Sequence, residues 1–60
     1  MLIRIREVRR RTGFSRSTIW RLERRGEFPR RVKLGPNSVA WYLAEVEGWI
    51  KEKLASRFVA

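Results

Sequence analysis

The stretch from Ser15 to Arg25, SRSTIWRLERR, constrains the fold of this chain more than any other. Ser15 is suited to cap a helix, and at about 100° per residue Ile19 and Leu22 fall on one side of that helix and hold it in place. The opposite side is basic, hydroxylic and aromatic, which suits an anionic partner. This outer face consists of Ser17, Trp20, Arg21 and Arg24, with Arg16 and Arg25 at its flanks.

Positive charge is concentrated in the half of the chain that contains this stretch. Residues 1–33 carry twelve Arg and Lys against three Glu, whereas residues 34–60 carry three Arg and Lys against three Glu. The whole net charge of +9 therefore lies in the first half. A one-sided basic footprint is typical of nucleic-acid binding, and it disfavours the alternative of a surface charged only for solubility.

The composition excludes several classes of protein. Sixty residues allow one small domain, which we expect to span residues 1–60, and the absence of Cys, His and Asp argues against disulfides, metal sites and cofactors. Glu, Ser and Tyr alone offer no evident nucleophile–base pair, so we expect no enzyme. The longest apolar run covers residues 39–44, far short of the ~20 residues that cross a bilayer. We therefore expect a cytoplasmic, nucleoid-associated protein without a membrane partner.

Helical signals also precede the opening stretch. Ile5, Val8 and Thr12 recur at helical spacing, which predicts a first helix over residues 6–12 after a brief strand within residues 1–5. Gly13 ends this helix and permits a sharp turn, and Phe14 is expected to pack between the two helices. Together these features predict a helix-turn-helix.

The spacing of apolar residues changes after the second helix. Phe28-Pro29 breaks the helix, and a hairpin over residues 28–41 follows. Val32 and Leu34 are predicted on one face of its first strand, with basic side chains on the other face. This hairpin is predicted to be a wing that follows phosphates, or else only a cover for the core. Its parts are a strand over residues 30–34, a turn over 35–38 and a returning strand over 39–41.

A longer helix is predicted to close the core. Its apolar positions recur three and four residues apart, and Trp41 and Trp49 are expected in the core rather than at an interface. Phe58 and Val59 either extend this stripe or form an end available to a partner. The predicted fold is mostly α with a small β-hairpin: a winged helix-turn-helix with a short N-terminal strand, a hairpin wing and a C-terminal helix.

The motifs that carry this prediction are EV at 7–8, TGFSRSTIWRL at 12–22, G at 26, FP at 28–29, VKLG at 32–35, W at 41 and VEGWI at 46–50. In order and spacing they resemble the AlpA family of prophage-type regulators, and more broadly the MerR/excisionase-like winged-helix group. The resemblance implies a DNA-binding transcriptional regulator. It places Trp20 where the family usually has Tyr, Asn37 at a wing tip that commonly carries Arg, and Ala44 where a capping Ser or Asp usually precedes the last helix.

We therefore predict sequence-specific binding of double-stranded DNA, with the helix over residues 15–25 in the major groove. Arg16 and Arg21 have the planar fork that reaches guanine O6 and N7. The resemblance implies that Arg16, Ser17, Trp20 and Arg21 face the groove or its flanking phosphates. Thr18 either contacts DNA or only caps, and Trp20 either contacts DNA or packs on the wing. The predicted contact set is Arg16, Ser17, Thr18, Trp20, Arg21, Arg24, Arg25, Arg30, Arg31 and Lys33, of which the last five are expected to hold phosphates.

Two other functions remain open from the sequence. The first is an excisionase-type architectural factor that bends DNA for a recombinase partner, which a DNA-bending assay would favour. The second is an interaction module whose basic face meets RNA or an acidic protein, which a preference for single-stranded RNA would favour. Because one small reading helix makes few base contacts, we expect a homodimer or tandem protomers on DNA.

Overall fold

The computed structural model of the protein describes residues 1–56, in which three helices surround a three-stranded sheet. In chain order the elements are β1 (Leu2–Ile3), α1 (Ile5–Thr12), α2 (Arg16–Arg24), β2 (Val32–Gly35), β3 (Ser38–Tyr42) and α3 (Leu43–Ser56). This is the predicted winged helix-turn-helix. The predictions about Phe58 and Val59 lie outside the described residues.

The turn between α1 and α2 follows from local chemistry. Gly13 has φ 77°, the left-handed conformation that ends α1, and its N–H donates to the carbonyl of Arg9 at 2.8 Å. Ser15 is the N-cap of α2, because its hydroxyl accepts the N–H of Thr18 at 3.2 Å. The predicted stop and cap are confirmed, and both predicted helices match to within one residue.

The wing is part of a larger sheet than the sequence indicated. β3 is the central strand in the antiparallel order β1-β3-β2, and Ile3 on β1 pairs with Trp41 on β3. The N-terminal strand was predicted, but its pairing was not. No local signal specifies a partner some 40 residues away, since that contact depends on tertiary packing.

β2 is shorter than predicted, because it begins at Val32 instead of residue 30. Its pairing with β3 shifts register between Lys33 and Gly35, and the side chains of Val32 and Leu34 are 40% and 47% exposed. A register irregularity interrupts the alternation of faces along a strand. Val32 and Leu34 were predicted on one face of this strand, but neither residue is buried.

The core lies where the sheet meets the helices, and each helix contributes to it. Trp41 is its largest fully buried side chain, which confirms its predicted core position. Trp49 is half-buried and packs against the same cluster. The buried members of the cluster are Ile3, Val8, Ile19, Phe28, Trp41 and Val46.

α3 begins directly after β3, without a connecting loop. Ala44 therefore lies inside the first turn of the helix, and the prediction that it stands at the capping position is wrong. The N–H of Leu43 donates to the carbonyl of Met1 at 2.9 Å. The chain preceding β1 thus supplies an acceptor for one of the N–H groups that a helix start leaves unsatisfied.

Trp49 connects α3 to the chain on both sides of α2. Its ring makes edge-to-face contacts with Phe14 before the helix and Phe28 after it, with centroids 5.9 and 4.9 Å apart. Its indole N–H donates to the carbonyl of Glu27 at 2.7 Å. This contact holds both ends of α2 against the body of the domain.

We expect Trp49→Phe to lower the free energy of unfolding by about 1 kcal/mol, because the aromatic contacts remain while the Glu27 carbonyl loses its donor. Urea denaturation followed by circular dichroism measures this change. Trp20→Phe is the matched control, since Trp20 is exposed and should change stability by less than ~0.5 kcal/mol. Equal losses in the two variants would contradict the role given to the Trp49 hydrogen bond.

Candidate nucleic-acid interface

α2 presents one side to the core and the other to solvent, as its sequence predicts. Ile19 is fully buried, Leu22 packs against the core cluster, and Glu23 is 7% exposed. All six residues of the predicted outer face are exposed: Arg16, Ser17, Trp20, Arg21, Arg24 and Arg25. The helix is thus anchored on its inner side, with its basic side open to a partner.

The Glu23 carboxylate joins α2 to the wing. It accepts hydrogen bonds from the backbone N–H of Arg31 at 2.9 Å, from the Arg31 guanidinium, and from the indole N–H of Trp41 at 3.0 Å. A buried carboxylate is tolerated when its oxygens are satisfied in this way. Because Arg31 immediately precedes β2 and Trp41 lies on β3, this cluster sets the orientation of the wing relative to α2.

Glu23 was not predicted to be a structural residue. One signal was available: Glu23 lies four residues after Ile19, which places it on the inner side of the helix. An acidic residue on the inner side of an otherwise basic stretch requires a buried partner. The identity of that partner depends on where the wing folds back.

Arg31 was predicted to hold a phosphate, and the structure gives its charge a partner inside the protein. Its guanidinium pairs with Glu23 and lies 5.0 Å from the centroid of the Trp41 ring. The side chain of Arg31 is 35% exposed. Its charge is therefore balanced within the junction of α2 and the wing.

Trp20 is 53% exposed on the outer face of α2. The guanidinium of Arg24 lies over its ring, 4.8 Å from the centroid. Trp20 lines one surface depression together with Val39 and Trp41 of the wing. Trp20 thus stacks with a residue of its own helix, and its ring faces solvent beside the wing.

Thr18 is part of the cap of α2. Its hydroxyl lies 3.0 Å from the Ser15 hydroxyl and accepts a long hydrogen bond from Arg21 at 3.4 Å. Thr18 is half-buried, unlike Ser17 beside it. The hydrogen bond to Thr18 therefore holds the Arg21 guanidinium near the start of the helix.

The remaining predicted contacts are exposed and carry their charge without an ion-pair partner among residues 1–56. Two are on α2 or its end, and two are on or just before the wing strand β2. They are Arg16, Arg25, Arg30 and Lys33. Their long side chains can reach phosphates on either side of α2.

Two of the four arginines of α1 are paired with acidic residues, whereas Arg6 and Arg9 are exposed and make no ion pair among residues 1–56. Arg10 and Arg11 both bind the Glu7 carboxylate, and Arg11 also lies 3.7 Å from Glu47. The hydrogen bonds from Arg10 hold the pKa of the Glu7 carboxyl below its ordinary value, although desolvation acts in the opposite direction. The same contact raises the pKa of Arg10. Among residues 1–33, six cations without an ion-pair partner therefore lie on or next to α2 and β2, and three, Arg4, Arg6 and Arg9, lie in or just before α1.

None of the three helices described in residues 1–56 is long and apolar enough to cross a membrane. A family model described as "Prophage CP4-57 regulatory protein (AlpA)" matches residues 1–54. The chain belongs to the AlpA family. The resemblance seen in its motifs is confirmed, and the description of the family model names a prophage regulatory protein.

A phage protein is also similar to this AlpA chain. It is the uncharacterized protein ORF88 of Enterobacteria phage P4, which is 47% identical over 55 residues. The aligned region covers 92% of this chain and 62% of the relative. The chain therefore spans about three-fifths of the length of the relative that it matches.

We expect Glu23→Gln to destabilise the protein by about 2–4 kcal/mol, because the Arg31 guanidinium loses its charged partner and an amide donor faces other donors. Urea denaturation at pH 7 measures the loss. Glu27→Gln is the control, since Glu27 is exposed and its side chain makes no ion pair in the described chain, so it should stay within ~0.5 kcal/mol of wild type. A Glu23 variant as stable as this control would contradict the proposed junction.

Proposed function

We propose that this protein is a sequence-specific double-stranded DNA-binding transcriptional regulator, with α2 in the major groove and the β2–β3 hairpin as its wing. The observation that carries this proposal is the exposed basic face of a helix whose inner side is anchored by Ile19 and Glu23. A reading helix has to be held in a defined orientation, since base contacts depend on geometry.

The dimensions of α2 support entry into the major groove. Its nine residues span about 13 Å, and a helix with its side chains is roughly 10–12 Å wide. The major groove of B-DNA is about 12 Å wide and admits an α-helix. The minor groove is roughly half as wide, so it does not admit the helix.

Contacts to base edges and contacts to phosphates come from different residues. Arg16 and Ser17 lie in the first turn of α2, where short donors and planar forks can reach base edges. Arg21 lies in the last turn, but its guanidinium reaches back to the Thr18 hydroxyl near the start of the helix. The exposed cations that flank the helix and follow the wing hold phosphates, namely Arg25, Arg30 and Lys33. Arg31 orients the wing through Glu23 in this proposal, so its charge contributes little to affinity.

Random-site selection followed by footprinting tests the proposal. We expect one preferred duplex sequence, and the footprint also gives the number of protomers on it. Recovery of no preferred duplex, or tighter binding of single-stranded RNA, would overturn the proposal. A circular-permutation bending assay on the selected fragment separates a regulator from an architectural factor.

Binding should depend strongly on salt. If about five phosphates are neutralised, the logarithm of the association constant should fall with the logarithm of salt concentration at a slope of roughly −4 to −5. Fluorescence anisotropy with a labelled duplex measures this slope between 50 and 200 mM salt. A slope near zero would contradict binding through the basic face.

Arg21→Ala should weaken binding to the selected site by about 1–3 kcal/mol, because a bidentate base contact is lost. Binding to random duplex should change far less. Lys51→Ala is the control, since it removes one positive charge from α3, away from the proposed reading face. If Arg21→Ala weakens selected and random DNA equally, Arg21 holds a phosphate and does not read a base.

A further inference from the structure

Trp20 and Arg24 form a stacked pair on the outer face of α2. They are four residues apart, so they are neighbours on the helix surface, and the Arg24 guanidinium lies 4.8 Å from the centroid of the Trp20 ring. Trp20 is 53% exposed, although burial would be the usual fate of so large an apolar side chain. Because α2 is proposed to lie in the major groove, we expect this exposed ring to have a role in DNA recognition.

The stack also determines where the Arg24 guanidinium lies. Arg24 is the last residue of α2, at the end farther from the cap. Side chains on a helix lean towards its N-terminus, and stacking on Trp20 carries the guanidinium back by one turn. Arg24 and Trp20 there line a depression together with Ser17, Arg21 and Arg25. The guanidinium of Arg24 thus belongs to the group of side chains suited to read bases.

A stacked arginine suits a base edge better than a phosphate. A phosphate has several oxygens and can be bound by a lysine as a point charge, whereas guanine O6 and N7 need two N–H groups in one plane. An aromatic ring fixes the plane of the guanidinium and leaves its N–H edge available. Arg25 and Arg16 have no such partner among residues 1–56, so their forks keep more rotamer freedom to lose on binding.

We propose that Arg24 reads the O6/N7 edge of a guanine in the target duplex and that Trp20 is the positioning residue that fixes its fork. This inference rests on the proposed function and changes one part of it, since Arg24 was expected from the sequence to hold a phosphate. Trp20 acts through Arg24, and the base pair that it influences is the base pair that Arg24 contacts.

The test uses the duplex recovered by random-site selection on the wild-type chain, with each base pair replaced in turn. Wild type should lose about 5- to 150-fold in affinity when the guanine under Arg24 is replaced. Arg24→Lys keeps the charge without the planar fork, and it should become indifferent to that replacement while binding random duplex within about twofold of wild type. Trp20→Ala should lose discrimination at the same base pair.

Three comparisons separate positioning from a merely structural role. Trp20→Phe keeps an aromatic face and should retain most of the discrimination. The double variant Trp20→Ala with Arg24→Lys should discriminate no worse than Arg24→Lys alone, because both changes remove one contact. Arg25→Lys should leave discrimination at that base pair intact. Circular dichroism should show wild-type helix content in every variant, since the altered side chains are exposed.

The outcomes distinguish this inference from the proposed function. If wild type prefers no duplex sequence, both fail. If wild type prefers a duplex sequence and Trp20→Ala discriminates as well as wild type at every base pair, only the inference is overturned. The inference is also overturned if Trp20→Ala and Arg24→Lys lose discrimination at different base pairs, because Trp20 would then contact DNA through its own ring.

Discussion

The buried Glu23 carboxylate is the contact on which the orientation of α2 relative to the wing depends. Its oxygens accept from Arg31 and from the Trp41 indole, so a shift of the wing would leave a charge buried without partners. Such a charge is costly inside a protein, and few arrangements of wing and helix satisfy it. The cluster thus specifies one arrangement, and it does so in a domain that has no disulfide to enforce it.

Aromatic contacts on the other side of α2 complete this arrangement. Trp49 touches Phe14 and Phe28, which lie before and after the helix, and its indole N–H binds the chain where α2 has ended. A 60-residue chain buries only about 60% of its unfolded surface, so a few large side chains have to hold several elements at once. Helix α2 is therefore fixed on its inner side and near both ends.

Net charge alone does not describe the proposed interface. Arg10, Arg11 and Arg31 are balanced by Glu7 and Glu23, so part of the basic sequence serves the fold. The amino-acid sequence does not separate these paired arginines from the unpaired ones, since both kinds occur in runs such as RRR. Among the proposed readers, Arg21 and Arg24 have guanidinium groups that contact a neighbour on α2.

The sequence by itself determined the features that depend on intervals of one to four residues. These are the Gly13 stop, the Ser15 cap, the inner and outer faces of α2 and the location of the hairpin turn within residues 35–38. Only the tertiary structure decided the contacts of Glu23 with Arg31 and Trp41, the pairing of β1 with β3 and the interrupted alternation of β2. The physical reason is that dihedral preferences, caps and periodicity act locally, whereas a buried carboxylate or an edge strand finds its partner through packing of distant segments.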